Sequence, residues 1–276
     1  VSTTDGPTTG RTAMRPPSRT PPLPVPGARP PSRRGPGPPG YWGGCRGASL
    51  ALLVTLPMLA CYEAGIAALG GDPALRTGVD AWIGAAIPDA YPVPDWAPSV
   101  ALAVGLVAWR VADPRRFRAR WLPAALAECL LLGAGLLGLY LAFDRHFPAL
   151  AGRPLLGVAG SPLPIGAAEA LSLVGAGIFE EAAFRLGLLW LTYAGLRILH
   201  TPNALATAFA ASGSALAFSM AHHVGEPPGS FSWAVFVFRW LAGVYFSWVF
   251  ILRGFGIAVG THVAYDLLVA SYPWPE

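Results

Sequence analysis

Glu180 and Glu181 stand side by side in the apolar run Ile178-Phe-Glu-Glu-Ala-Ala-Phe-Arg-Leu-Gly-Leu-Leu, with Arg185 four residues beyond the second. Residues i and i+4 share a helix face, so Glu181 can pair with Arg185, while Glu180 points about 100° away and keeps an unmatched charge. A second group, Phe218-Ser-Met-Ala-His222-His223, ends another apolar segment, and a third, Gly260-Thr-His262-Val-Ala-Tyr-Asp266, lies in the last one. His262 and Asp266 are again i and i+4 and face one neighbour together. Three segments thus offer a carboxylate, an imidazole and an imidazole–carboxylate pair. Such groups can move protons to and from a reacting water, relay protons across a membrane, or serve as hydrogen-bonded glue between helices. Each alone in hydrocarbon carries a desolvation cost of several kcal/mol, so they need one another or water.

Two glutamates and two histidines could also hold zinc, which would make a bound water more acidic. The first group is not HExxH, however, and no two histidines have the i, i+4 spacing that grips zinc from one helix. The expectation is no metal and no other cofactor, with zinc as the alternative. Cys45, Cys61 and Cys129 have no CxxC spacing and are odd in number, which argues against a disulfide framework.

The elements that must position these groups are membrane helices. Of the 276 residues, 54% are hydrophobic and 12% charged, against about 25% charged in soluble domains. A helix crossing the ~30 Å hydrocarbon core needs roughly 20 mostly apolar residues. Runs near that length are Ala48 to Gly70, Ala97 to Ala112, Trp121 to Phe143, Gly166 to Ile198, Asn203 to His222, Phe231 to Leu252 and Phe255 to Tyr272. The reading is an all-α, polytopic transmembrane bundle of about seven spans. Residues 1–44, rich in Pro, Gly and Arg, cannot bury enough apolar surface to order and are expected to form a disordered tail. Residues 45–143 then form N-terminal membrane helices and 144–276 the membrane core that carries all three groups.

All 19 basic residues are arginines, and their placement orients the chain. The tail is basic, 71–95 holds four aspartates against one arginine, and 113–120 holds four arginines. The positive-inside rule puts the N-terminus and 113–120 in the cytoplasm and 71–95 outside. The net charge of +4 is explained by these flanks, and nucleic acid is not an expected partner. Glu63, Glu128, Glu169, Arg110 and Arg239 stand alone, and snorkelling or structural pairing is expected for each.

The three groups resemble the motifs of the CAAX protease and bacteriocin-processing family, also called the abortive-infection family of intramembrane endopeptidases. Its paired glutamates with a following arginine stand as Glu180, Glu181 and Arg185, its Phe-x-x-x-His as Phe218 and His222, and its His-x-x-x-Asn as His262 and Asp266. The resemblance covers about Gly166 to Tyr272, and Asp266 departs from the common asparagine. It implies an endopeptidase of the CAAX prenyl protease 2-like type with its motif residues around a water-filled cavity. Glu180 with His222 would activate the attacking water, His262 and position 266 would orient substrate or stabilise the oxyanion, and Glu181 with Arg185 would be supporting structure. The expected partners are the lipid bilayer and a membrane-anchored protein or peptide, matured at a sorting signal rather than a prenyl group, in a bacterial inner membrane. The competing readings are a proton-coupled transporter, which should show internal repeats that the two halves do not display, and a non-catalytic immunity or scaffold protein on the same fold.

Overall fold

The structure, a computed structural model, describes residues 40–76, 78–86, 93–147, 165–224 and 231–272. The disordered tail read from residues 1–44 lies outside them up to Pro39, while Tyr41–Cys45 form a short helix, α1. Residues 41–44 are ordered because Tyr41 packs edge-on against Trp121, at 5.9 Å between ring centroids, and donates its hydroxyl to Glu128 over 2.6 Å. Aromatic burial and a charge-assisted hydrogen bond offset the ordering entropy that the neighbouring composition alone would not.

Nine further α-helices follow: α2 (Ala48–Ala68), α3 (Gly78–Ala86), α4 (Ala97–Ala112), α5 (Leu122–His146), α6 (Ala167–Glu181), α7 (Trp190–Ile198), α8 (Asn203–Ala221), α9 (Trp233–Arg253) and α10 (Phe255–Ala270). No strand occurs among the described residues, and the expected all-helical class holds. The helices Ala48–Ala68, Ala119–His146, Asn203–Ala221 and Trp233–Arg253 are long and apolar enough to cross a membrane, whereas α4 and α10 are apolar but shorter. The remaining expected span is a compound rod in which a π-helical stretch, Ala182–Leu189, joins α6 to α7 without a break.

Helix α10 is short because it has no need to face lipid. It packs against α2, α5, α6 and α9, and every residue from Phe255 to Asp266 is buried. A helix apolar on all sides belongs at the centre of a bundle. Small residues let the neighbours approach: a Cβ on Gly177 of α6 would come within 2.6 Å of Val263, and one on Gly133 of α5 within 2.9 Å of the Tyr265 backbone nitrogen. Only Gly254 separates α9 from α10. Its φ of 90° and the 2.8 Å that would part a Cβ from the Arg46 Cα exclude any side chain there.

Polar contacts tie down both ends. At one end Asp113 accepts from the Ala48 amide over 2.7 Å, Arg46 donates to the Leu252 carbonyl over 2.7 Å, and Arg253 pairs with Glu128. At the other, Arg76 bridges Glu63 and Asp80 at 2.7 and 2.9 Å, and Tyr62 donates to Asp80 over 2.8 Å. Ser99 donates to Glu63. Glu63 and Glu128 are therefore structurally paired, one of the two roles expected of them. The pairing also explains why the stretch after α2 is more than a loop: Arg76, its single arginine, folds a 3₁₀ turn (Pro73–Leu75) and α3 back onto α2 and α6.

Candidate functional site

The site forms where the C-terminus of α6, the end of α8 and the middle of α10 converge. Glu181 and Arg185 make the expected i, i+4 ion pair at 3.0 Å, both side chains fully enclosed, even though the π-helical stretch begins between them. A π turn widens the helix locally and re-aims side chains, and such turns occur frequently at functional sites. The Arg185 guanidinium also donates to the Gly243 carbonyl over 3.2 Å and lies 4.7 Å from the Phe218 ring centroid and 5.4 Å from that of Phe246. An ion pair, a hydrogen bond and two aromatic faces compensate its burial.

Glu181 has a second partner. Its Oε1 lies 2.8 Å from Nδ1 of His262, whose ring stacks on Phe246 at 4.3 Å. A carboxylate only accepts, so Nδ1 carries the proton and the tautomer is set from α6. His262 Nε2 then faces two carboxylates, Asp266 Oδ2 at 3.5 Å and Glu180 Oε2 at 3.7 Å. The i, i+4 spacing pairs His262 with Asp266, but the 2.8 Å contact at Nδ1 comes from Glu181, 81 residues distant in sequence.

His222 caps the end of α8 with its Nδ1 2.8 Å from the Phe218 carbonyl oxygen, which leaves Nε2 aimed at Glu180 Oε1 across 3.7 Å. That gap is too long for a direct hydrogen bond. Glu180, whose charge has no local partner in sequence, is thus flanked by two imidazoles from two other helices. His223 packs on Phe231 and Phe236, with centroids at 4.8 and 5.8 Å.

A cavity of about 310 Å³ opens against these groups, lined by Glu180, His222, His262 and Asp266 and also by Arg239 and Tyr265. Arg239, for which snorkelling or structural pairing is expected from sequence, is one of the residues that line the cavity. No spacing links it to the three motifs, and Tyr265 is one more aromatic residue in an apolar helix, so neither carried a signal. Gly78 completes the lining: a Cβ there would sit 3.0 Å from Glu180 Oε1. Among the described residues, no group of three His, Cys, Asp or Glu side chains is arranged to hold a metal ion.

Residues 166–268, which contain all three motifs and Arg239, match the family model for Type II CAAX prenyl endopeptidase Rce1-like proteins. No curated protein and no solved structure matches the chain. The match makes 166–268 similar to that family and does not extend to the N-terminal helices.

Proposed function

We propose that the chain is an intramembrane endopeptidase in which Glu180 is the general base. The observation that carries this reading is the approach of Nε2 of both His222 and His262 to within 3.7 Å of the two Glu180 oxygens at one wall of the cavity. A carboxylate so placed can take a proton from a water that His222 Nε2 also holds, and so direct that water at a carbonyl carbon. As the bond from water oxygen to carbon forms, the carbonyl π pair moves onto oxygen. Its return breaks the C–N bond, and the amine leaves with the proton that Glu180 held. His262, oriented by Glu181, flanks Glu180 on the opposite side.

The enclosing bundle supplies a site of low dielectric, where such interactions are stronger than in water. The substrate that fits is a peptide segment entering from the bilayer, in a membrane-anchored protein or peptide. Sorting-signal or peptide maturation in a bacterial inner membrane suits it better than prenylated substrates. The reaction as written needs no bound ion.

The test is cleavage of a lipid-anchored, quenched-fluorescent peptide by the purified protein in nanodiscs. Glu180→Ala, His222→Ala and His262→Ala should each abolish cleavage while the protein stays monodisperse, His223→Ala should retain most of it, and chelators should leave the wild type unaffected. Cleavage by Glu180→Ala at the wild-type rate would sink the glutamate mechanism. Loss under chelation with recovery on added zinc would replace it with a metal-assisted one.

A further inference from the structure

Three of the helices long and apolar enough to cross a membrane have an end at one place: Ala48–Ala68 and Ala119–His146 begin there, and Trp233–Arg253 stops there. Around these ends stand Arg46, Arg115, Arg116, Arg118, Arg120 and Arg253. Two carboxylates meet them and both are taken, Asp113 by Arg115 and Glu128 by Arg253. Arg46, Arg116, Arg118 and Arg120 are exposed and pair with no carboxylate of the described residues. We infer that these four arginines form a binding site for the phosphate of an anionic phospholipid. The inference does not depend on the peptidase reading.

Packing brings the four together. A Cβ on Gly47 would lie 3.0 Å from the Arg115 Cβ, and one on Gly44 would lie 3.5 Å from the Arg116 carbonyl oxygen and 3.6 Å from the Trp121 ring. The turn that carries Arg46 therefore rests directly on the segment 115–121. Arg118 and Arg120 both lie over the Trp121 ring, 5.4 and 5.6 Å from its centroid. Arg46 gives its Nε–H to the Leu252 carbonyl over 2.7 Å, which uses one of five N–H donors and leaves the four on its Nη atoms for a phosphate.

This arrangement is more than the diffuse charge of a cytoplasmic flank. The positive-inside rule counts arginines anywhere near a span, whereas here an indole face and a backbone carbonyl restrain three of the four guanidiniums. A restrained planar fork meets two phosphate oxygens at once and loses less freedom on binding than a solvated side chain does. The surroundings favour a lipid over a soluble anion. Trp42 is exposed beside the cluster, and amphipathic rings of this kind sit at headgroup level. Helix α5 continues from Trp121 with Leu126 and Leu130, both exposed and one turn apart, an apolar face for acyl chains that free phosphate lacks.

The experiment offers the full chain, in detergent, phosphatidylglycerol and phosphatidylcholine with identical acyl chains at equal concentration, and native mass spectrometry reads which lipid is retained. The wild type should retain phosphatidylglycerol in preference. Each arginine beside an anionic lipid surface contributes about fivefold in affinity, so Arg46→Gln should lower the preference by about that factor and Arg118→Gln with Arg120→Gln by more than about tenfold. Arg46→Gln also loses the bond to Leu252, and the double variant, which keeps that bond, tests the site without disturbing the end of α9. Arg197→Gln removes an exposed arginine from the end of α7, which packs on α8, and should leave the preference unchanged. Equal retention of the two lipids by the wild type overturns the inference, and so does a loss in Arg197→Gln as large as that in the double variant, which would mark a diffuse effect of net charge. Inorganic phosphate is the remaining probe. Displacement of phosphatidylglycerol by millimolar phosphate would make the site one for a free anion and overturn the lipid assignment, whereas retention of the lipid supports it.

Discussion

Glu181, which sequence spacing treats as the partner of Arg185 alone, touches two catalytic arguments through one oxygen. The Oε1 that pairs with Arg185 at 3.0 Å also accepts from His262 Nδ1 over 2.8 Å. Where a carboxylate fixes an imidazole tautomer in hydrolases, replacing it by the amide costs up to about 10⁴-fold in kcat, because the amide can present N–H and reverse the tautomer. Glu181→Gln is therefore expected to lower kcat by at least about 10²-fold on this argument. Asp266→Asn should keep a measurable part of the activity, since the tautomer no longer depends on position 266, while Asp266→Ala, which opens the wall beside His262, should lose nearly all. Steady-state kinetics on the three variants, with a thermal-melt check that each stays folded, makes the comparison. Asn as inactive as Ala would show that the charge at 266 is itself required. The i, i+4 pairs were legible in sequence because one helix brings them together. The Glu181–His262 bond and the cavity position of Arg239 were not, because they depend on how separate helices dock.

Among the elements, the stretch from Asp72 to Ala86 changes most between sequence and structure. Its acidic composition marked it as an outward loop, and it holds a 3₁₀ turn and α3, clamped by Arg76 to Glu63 and Asp80. Ser172 of α6 donates to the Leu75 carbonyl over 3.0 Å, so the strap is fixed to the same helix that carries Glu180. Hydrogen bonds to the Glu63 and Asp80 carboxylates drive the Arg76 pKa up from its ordinary value, so its guanidinium stays charged. Gly78 is the point of contact. Its φ of 58° disfavours any side chain, and a Cβ would crowd Glu180 Oε1 at 3.0 Å. Gly78→Ala should thus displace the general base without unfolding the bundle, and a misplacement of about 1 Å can cost on the order of 10²-fold in rate. Measured kcat should fall well below wild type while the melting temperature stays within a few degrees. Unchanged kcat would mean that the strap only covers the site. Other element-level readings were close: the apolar runs located the helices, and what hydropathy missed was the π-helical stretch after Glu181 and the enclosure of the short α10, both consequences of packing.

At the scale of the whole molecule, the contacts sort the arginines and the cavity to opposite ends of the bundle. Arg46, Arg115 and Arg253 meet at one end of the bundle, joined through the Leu252 carbonyl, Asp113 and Glu128. Arg116, Arg118, Arg120 and Arg197 follow or end helices on the same side when the spans alternate. Gly78, His222, Arg239 and Asp266 all lie toward the opposite end, because α2 and α8 run away from the arginine end and α9 runs toward it. The positive-inside rule predicts the arginine-rich end in the cytoplasm, and with it the cavity in the outward half of the membrane and the strap over it from outside. In a variant with Cys61 replaced by Ser, the exposed positions Ala85 and Arg116 can each be changed to cysteine. A membrane-impermeant maleimide should label Ala85→Cys on intact cells and Arg116→Cys only after permeabilisation. The reverse pattern would turn the molecule over and place cleavage at the cytoplasmic side. With the expected pattern, the peptide bond cut is one near the outer membrane surface, and a substrate anchored with its cleavage site in the cytoplasmic half should resist the enzyme even when its sequence is otherwise accepted.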